Sequence, residues 1–175
     1  LVLTLFVQAF RFAVEPFFFQ QAKSLDAKHS YAYVMKWFVY AVSIIYLGTI
    51  IIVPFIAPYL IQNPEYFKHP NGMNAVPILL AANLFLGIYY TLSVWYKVSA
   101  RTKIGSLPAF GGAIVTIILN YLLIPKLGFM GSAYTTLIAY ASMVVFGYLL
   151  CRKFYPIPYE MFSIIGSLIF TFSLG

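Results

Sequence analysis

Uninterrupted apolar length constrains this chain more than any motif in it. Six stretches, at about 1–22, 33–61, 74–98, 104–125, 129–151 and 160–175, are predominantly apolar. A helix needs roughly 20 such residues to cross a bilayer. Soluble domains carry about 25% charged residues, and this chain carries 9% against 62% hydrophobic. So few charges cannot cover a water-soluble fold. A membrane barrel would need alternating segments of about ten residues, and the run AIVTIILNYLLI at 113–124 does not alternate. The expected class is therefore an all-α integral membrane protein with about six transmembrane helices. The chain begins at LVLTLF and ends at FSLG, inside apolar runs at both ends, and reads as a piece of a longer membrane protein.

The basic residues sit mostly between the apolar runs. Lys23, Lys28 and Lys36 flank the first connection, Lys68 the second, Lys97, Arg101 and Lys103 the third, Lys126 the fourth, and Arg152 and Lys153 the fifth. Counts of three, one, three, one and two follow the rule that cytoplasmic connections hold the excess of Lys and Arg. The connections near 23–36, 97–103 and 152–153 are expected in the cytoplasm, and those near 62–73 and 126–128 outside. The net charge of +7 is thus a topology signal. No basic face interleaves with a soluble fold, so nucleic acid is not an expected partner. The chain has no CxxC and no HExxH, its histidines His29 and His69 lie in polar connections, and Cys151 is alone. Neither metal nor cofactor is expected.

One apolar run contradicts itself. FRFAVEPFFF, residues 10–19, holds Arg11, Glu15 and Pro16 among seven Phe, Ala or Val residues. A charge at mid-membrane costs about 2.5–3.5 kcal/mol on insertion scales, so this pair must face protein or water. At i, i+4 the two lie on one helical face and partly neutralise each other. Two readings stand: a structural ion pair, or a cavity-lining arginine for an anionic substrate with Glu15 orienting it or titrating. Pro16 removes a backbone donor and frees the carbonyl of Phe12, so a local kink is expected.

Other polar or small residues carry weaker signals. Asn83, Asn120 and the run Tyr89, Tyr90, Thr91 and Ser93 fall inside spans, where an amide typically hydrogen-bonds a neighbouring helix. Asn83 and Tyr89 are further candidates for lining a cavity or coupling transport. Tyr89, Tyr90 and Trp95 could stack on sugar rings or serve as interior aromatics. Gly111 and Gly112 permit either a hinge or close packing. In NYLLIPKLGFMGSAYTT, residues 120–136, Pro125, Gly128 and Gly131 make a tight turn. Gly128, Gly131, Ser132, Thr135 and Ala139 then recur at helical spacing as a small-residue packing face.

The same stretch resembles the polysaccharide exporters of the MOP (multidrug/oligosaccharidyl-lipid/polysaccharide) superfamily, through an Asn, an apolar run ending Leu-Ile-Pro, then Gly-x-x-Gly-Ser-Ala and Thr. QAFRFAVEPFFFQQAK, VPILLAANLFLGIYYTLSVWYK and RKFYPIPY are similar to Wzx-type lipopolysaccharide-biosynthesis flippases. The resemblance runs along essentially the whole chain and corresponds to a C-terminal lobe. It implies a MATE-like two-lobe transporter whose N-terminal lobe, a partner in the same chain, lies beyond these residues. It implies alternating access that moves undecaprenyl-pyrophosphate-linked oligosaccharide across the bacterial inner membrane, with Arg11 in the helix that meets the pyrophosphate. No family role carries over to Glu15.

The competing classes have less to work with. A cation-coupled multidrug exporter of the same superfamily needs intramembrane carboxylates, and only Glu15 qualifies. A membrane glycosyltransferase or polymerase needs acidic or His clusters near the membrane, whereas Asp26, Glu65 and Glu160 occur singly, so the chain is not read as an enzyme. A purely structural subunit has no use for a costly Arg11–Glu15 pair.

Overall fold

The structure, a computed structural model, describes residues 2–24, 26–60 and 74–174. Helices dominate: α1 Val2–Gln21, α2 Ala27–Leu60, α3 Ala75–Leu92, α4 Val94–Val98, α5 Thr102–Gly105, α6 Leu107–Leu127, α7 Phe129–Phe154 and α8 Met161–Leu174. No strand occurs among the described residues. Among the described residues, four stretches are long and apolar enough to cross a membrane by length and composition: Ala27–Ile56, Ala75–Val98, Thr102–Leu127 and Phe129–Phe154. These match the second to fifth expected spans. The first and sixth expected spans are also helical, as α1 and α8, but are not among these four. The connection expected at 62–73, with Glu65, Lys68 and His69, lies outside the described residues.

Proline placement explains where helices run on. Pro108 falls in the first turn of α6, where a missing N–H costs nothing. Pro16 and Pro125 lie inside α1 and α6, and both helices continue through them. Ser93 interrupts α3 and α4 by one residue. Ala100, with φ of 54°, turns α4 towards α5.

Side-chain pairs fix the helix directions. Thr4 meets Asn83 and Glu15 meets Lys97, so α1 runs parallel to the α3–α4 span. Phe18 meets Tyr31 while Phe10 meets Phe38, so α1 and α2 are antiparallel. Lys36, Tyr40 and Tyr46 of α2 meet Glu160, Ser163 and Phe172 in the same order, so α8 runs parallel to α2. The starts of α3 and α7 share an apolar cluster of Ala75, Met130 and Ala133, and Gly147 lies under Tyr89, so these two are parallel. Thus α1, α3 and α7 point one way, and α2, α6 and α8 the other.

Two larger cores hold this arrangement. Leu3, Val7, Phe38, Val42, Leu84 and Ile88 join α1, α2 and α3. Phe18, Tyr31, Trp95, Cys151 and Ile157 close one end, where the Tyr31 hydroxyl donates to the Phe18 carbonyl at 2.9 Å and Trp95 stacks on Phe154. At that end Lys28 lies over Tyr155 and Arg101 over Phe154. The basic connections near 23–36, 97–103 and 152–153 therefore gather at one end of the bundle.

The α6–α7 hairpin depends on glycine twice. Gly128 takes φ 59° and ψ −137°, a backbone region essentially reserved for glycine. A Cβ on Gly131 would lie 2.6 Å from the Leu123 carbonyl oxygen, so only hydrogen fits there. Gly131, Thr135 and Ala139 of the small-residue face are buried, whereas Ser132 is exposed. On α6 the outer face shows Phe110, Ile114, Ile117, Ile118 and Leu122. A contiguous apolar surface of this extent calls for an apolar surround, the pattern of a membrane protein.

Candidate functional site

α1 has 20 residues, a length of about 30 Å at 1.5 Å rise per residue. Arg11 sits at its middle and Glu15 one turn nearer the end where the basic connections gather. The Arg11 Nε donates to Glu15 Oε1 at 3.3 Å. The Lys97 ammonium, from α4, donates to that same oxygen. One carboxylate thus binds two cations from two helices. The three side chains are 33%, 28% and 26% exposed for Arg11, Glu15 and Lys97. Arg11 and Glu15 line a crevice, and Lys97 reaches Glu15 from α4.

Aromatic and small residues shape the crevice. The Arg11 guanidinium lies 4.8 Å from the Tyr90 ring centroid, within reach for a cation–π attraction. Phe12 offers a second ring at 5.8 Å. Val7, Val14, Phe38 and Val94 complete the walls. Gly87 lets the Phe38 ring in, since a Cβ there would stand 2.5 Å from it. The remaining space is about 10 Å³, on the order of one water.

Sequence reasoning placed Lys97 among the loop cations and so missed its role here. The signal was present as spacing: Gly87, Tyr90, Val94 and Lys97 recur at intervals of three and four, one face of a helix. The matching face of α1 carries Val7, Arg11, Val14 and Glu15.

The other candidate residues lie elsewhere. Asn83 accepts from the Thr4 hydroxyl at 3.0 Å and donates to the Leu79 carbonyl at 2.9 Å, so it ties α3 to α1. Tyr89 is buried beneath Gly147 of α7 and is not among the residues that line the crevice. Its neighbour Tyr90 lines the crevice. Gly112 faces Met143, where a Cβ would stand 2.5 Å away, and the nearest neighbour of Gly111 is the Phe146 ring at 3.8 Å. Pro16 lies on the exposed side of α1. Pro125, Gly128 and Gly131 belong to the hairpin. Asn120 Oδ1 is buried, with no hydrogen-bond partner among the described residues. No group of three or more His, Cys, Asp and Glu able to hold a metal occurs among the described residues.

The fold and site define an all-helical class among the described residues, with four helices long and apolar enough to cross a membrane and a half-buried three-charge cluster between two helices. Comparison with protein-family models, with curated proteins and with solved structures gave no match in any of the three.

Proposed function

We propose that this chain forms one lobe of a two-lobe flippase that moves undecaprenyl-pyrophosphate-linked oligosaccharide across the bacterial inner membrane by alternating access. In this reading α1 and α8 complete six spans, and the end carrying the basic connections faces the cytoplasm. The alternating helix directions and the gathering of basic connections at one end support that topology.

The observation that carries the substrate reading is Arg11. It is placed at mid-helix, braced by Tyr90 and Glu15, and only its Nε is engaged in hydrogen bonding among the described residues. The two terminal nitrogens remain available to grip phosphate oxygens in parallel. A cation-coupled multidrug exporter would instead need a free carboxylate, and Glu15 is held by two cations.

The test is Arg11→Ala in the full-length protein. It is expected to abolish surface polysaccharide while membrane protein levels hold, and Arg11→Lys to restore little. Normal surface polysaccharide from Arg11→Ala would sink the proposal.

A further inference from the structure

We propose that Glu15 is a built-in stand-in for phosphate: its carboxylate occupies the place between Arg11 and Lys97 that a phosphate group of the ligand takes over, which makes Lys97 a second binding cation. This rests on the transport reading above for its biological ligand, although the anion site can be tested apart from it.

Three features of the cluster lead here. First, the charges do not balance: two cations face one carboxylate, leaving +1. A structural pair needs only one cation, and Arg11 at i, i+4 already supplies it. Second, both cations converge on one oxygen, Oε1, and no hydrogen bond reaches Oε2 among the described residues. A flat carboxylate serves this geometry with a single oxygen. A tetrahedral phosphate could meet the arginine fork with two oxygens and the ammonium with a third. Third, beside Glu15 the crevice that Arg11 lines keeps only about 10 Å³ of space, room for about one water and not for a phosphate. A phosphate enters only as the carboxylate leaves, and the partly exposed Glu15 side chain has a way out.

Displacement also accounts for reversibility. Two bare cations in a low-dielectric crevice would hold a pyrophosphate too tightly to release it. With Glu15 competing intramolecularly, the ligand meets a lower apparent affinity, and on release the carboxylate re-pairs the cations. The phosphate could belong to a lipid-linked sugar or to an ordinary anionic headgroup, since the chemistry at the crevice is the same.

Inorganic pyrophosphate is the probe, titrated against the full-length protein in phosphatidylcholine nanodiscs. Glu15→Gln is expected to tighten binding about tenfold, since removing a competing state raises the competent fraction. Lys97→Met is expected to weaken it by a similar factor. Should Glu15→Gln fold poorly, Glu15→Asp keeps the charge on a shorter stem and is expected to bind between wild type and Gln. Unchanged or weaker binding in the folded Glu15 variants overturns the stand-in role, as does a Lys97→Met protein that binds like wild type. Repeating the titration in discs containing phosphatidylglycerol separates the sources: competition by the lipid identifies a headgroup as an occupant of the same site. Lost tightening with an intact Arg11→Ala phenotype removes only this inference. Tightening with normal polysaccharide from Arg11→Ala keeps the anion site and removes the flippase reading.

Discussion

The Lys36 ammonium meets the Glu160 carboxylate at 2.6 Å across 124 positions of chain, and one turn further along the Tyr40 hydroxyl meets Ser163 at 2.6 Å. Together these contacts seat α8 on α2. They should not weigh equally. The Glu160 side chain is 61% exposed, and water and salt screen an ion pair of that kind. The partly buried hydroxyl pair should be worth roughly 0.5–1.5 kcal/mol. Tyr40→Phe is therefore expected to lower the thermal midpoint of the purified protein measurably more than Lys36→Met does. Equal effects, or a larger one from Lys36→Met, would contradict this ranking.

Glycines on α6 and α7 offer a sharper contrast. Gly131→Ala forces a Cβ against the Leu123 backbone, which cannot swing aside, and should cost about 1–3 kcal/mol as overpacking. Gly128→Ala has open space but an unfavourable backbone and should cost a similar ~1–3 kcal/mol through strain. Gly111→Ala meets only the Phe146 ring at ordinary contact distance and should be close to neutral. Thermal unfolding followed by tryptophan fluorescence would rank the three, and a severe Gly111→Ala would refute the packing account.

The spans were legible in the sequence because apolar length is a local property. The run lengths alone located α6 and α7, and the end of α2, to within a few residues. The start of α2 at Ala27 rather than near 33 reflects polar residues such as Lys28 and Ser30, which a helix end tolerates once it leaves the apolar layer. The Arg11–Glu15 pair was legible for the same reason, being one turn apart. Its third member was not, because Lys97 lies 82 positions from Glu15 and only the parallel packing of α1 on α3 and α4 brings them together. Lys97 ends an apolar run, where loop counting takes it for a topology signal. Tyr89 and Tyr90 could not be told apart from sequence either. Adjacent helical residues differ by about 100° in direction, and which one faces α1 depends on the seat of α7.

Topology can be checked with the lone thiol left in place. Cys151 is 1% exposed, and a buried thiol reacts slowly. An impermeant maleimide should therefore leave the native protein unlabelled until it is denatured. Single additions such as Lys103→Cys and Lys126→Cys then report sides. Reagent applied to intact cells is expected to label Lys126→Cys, and labelling of Lys103→Cys should require permeabilised membranes. The reverse pattern would invert the proposed orientation.

Adjacent tyrosines provide the last test of the crevice. The Tyr90 ring carries the Arg11 guanidinium, an attraction of about 0.5–2 kcal/mol depending on desolvation. That is a factor of roughly 2 to 30 in an equilibrium constant. Tyr90→Phe keeps a ring and should retain surface polysaccharide. Tyr90→Leu keeps bulk without the ring's charge distribution, so Arg11 loses its platform and pyrophosphate binding should fall within that range. Tyr89→Leu removes a ring buried under Gly147 and should lower thermal stability, leaving the pyrophosphate affinity of the folded fraction unchanged. The two readouts are expected to separate, binding for Tyr90 and stability for Tyr89. Should Tyr89→Leu weaken pyrophosphate binding and Tyr90→Leu leave it intact, the cavity wall lies on the other face of α3.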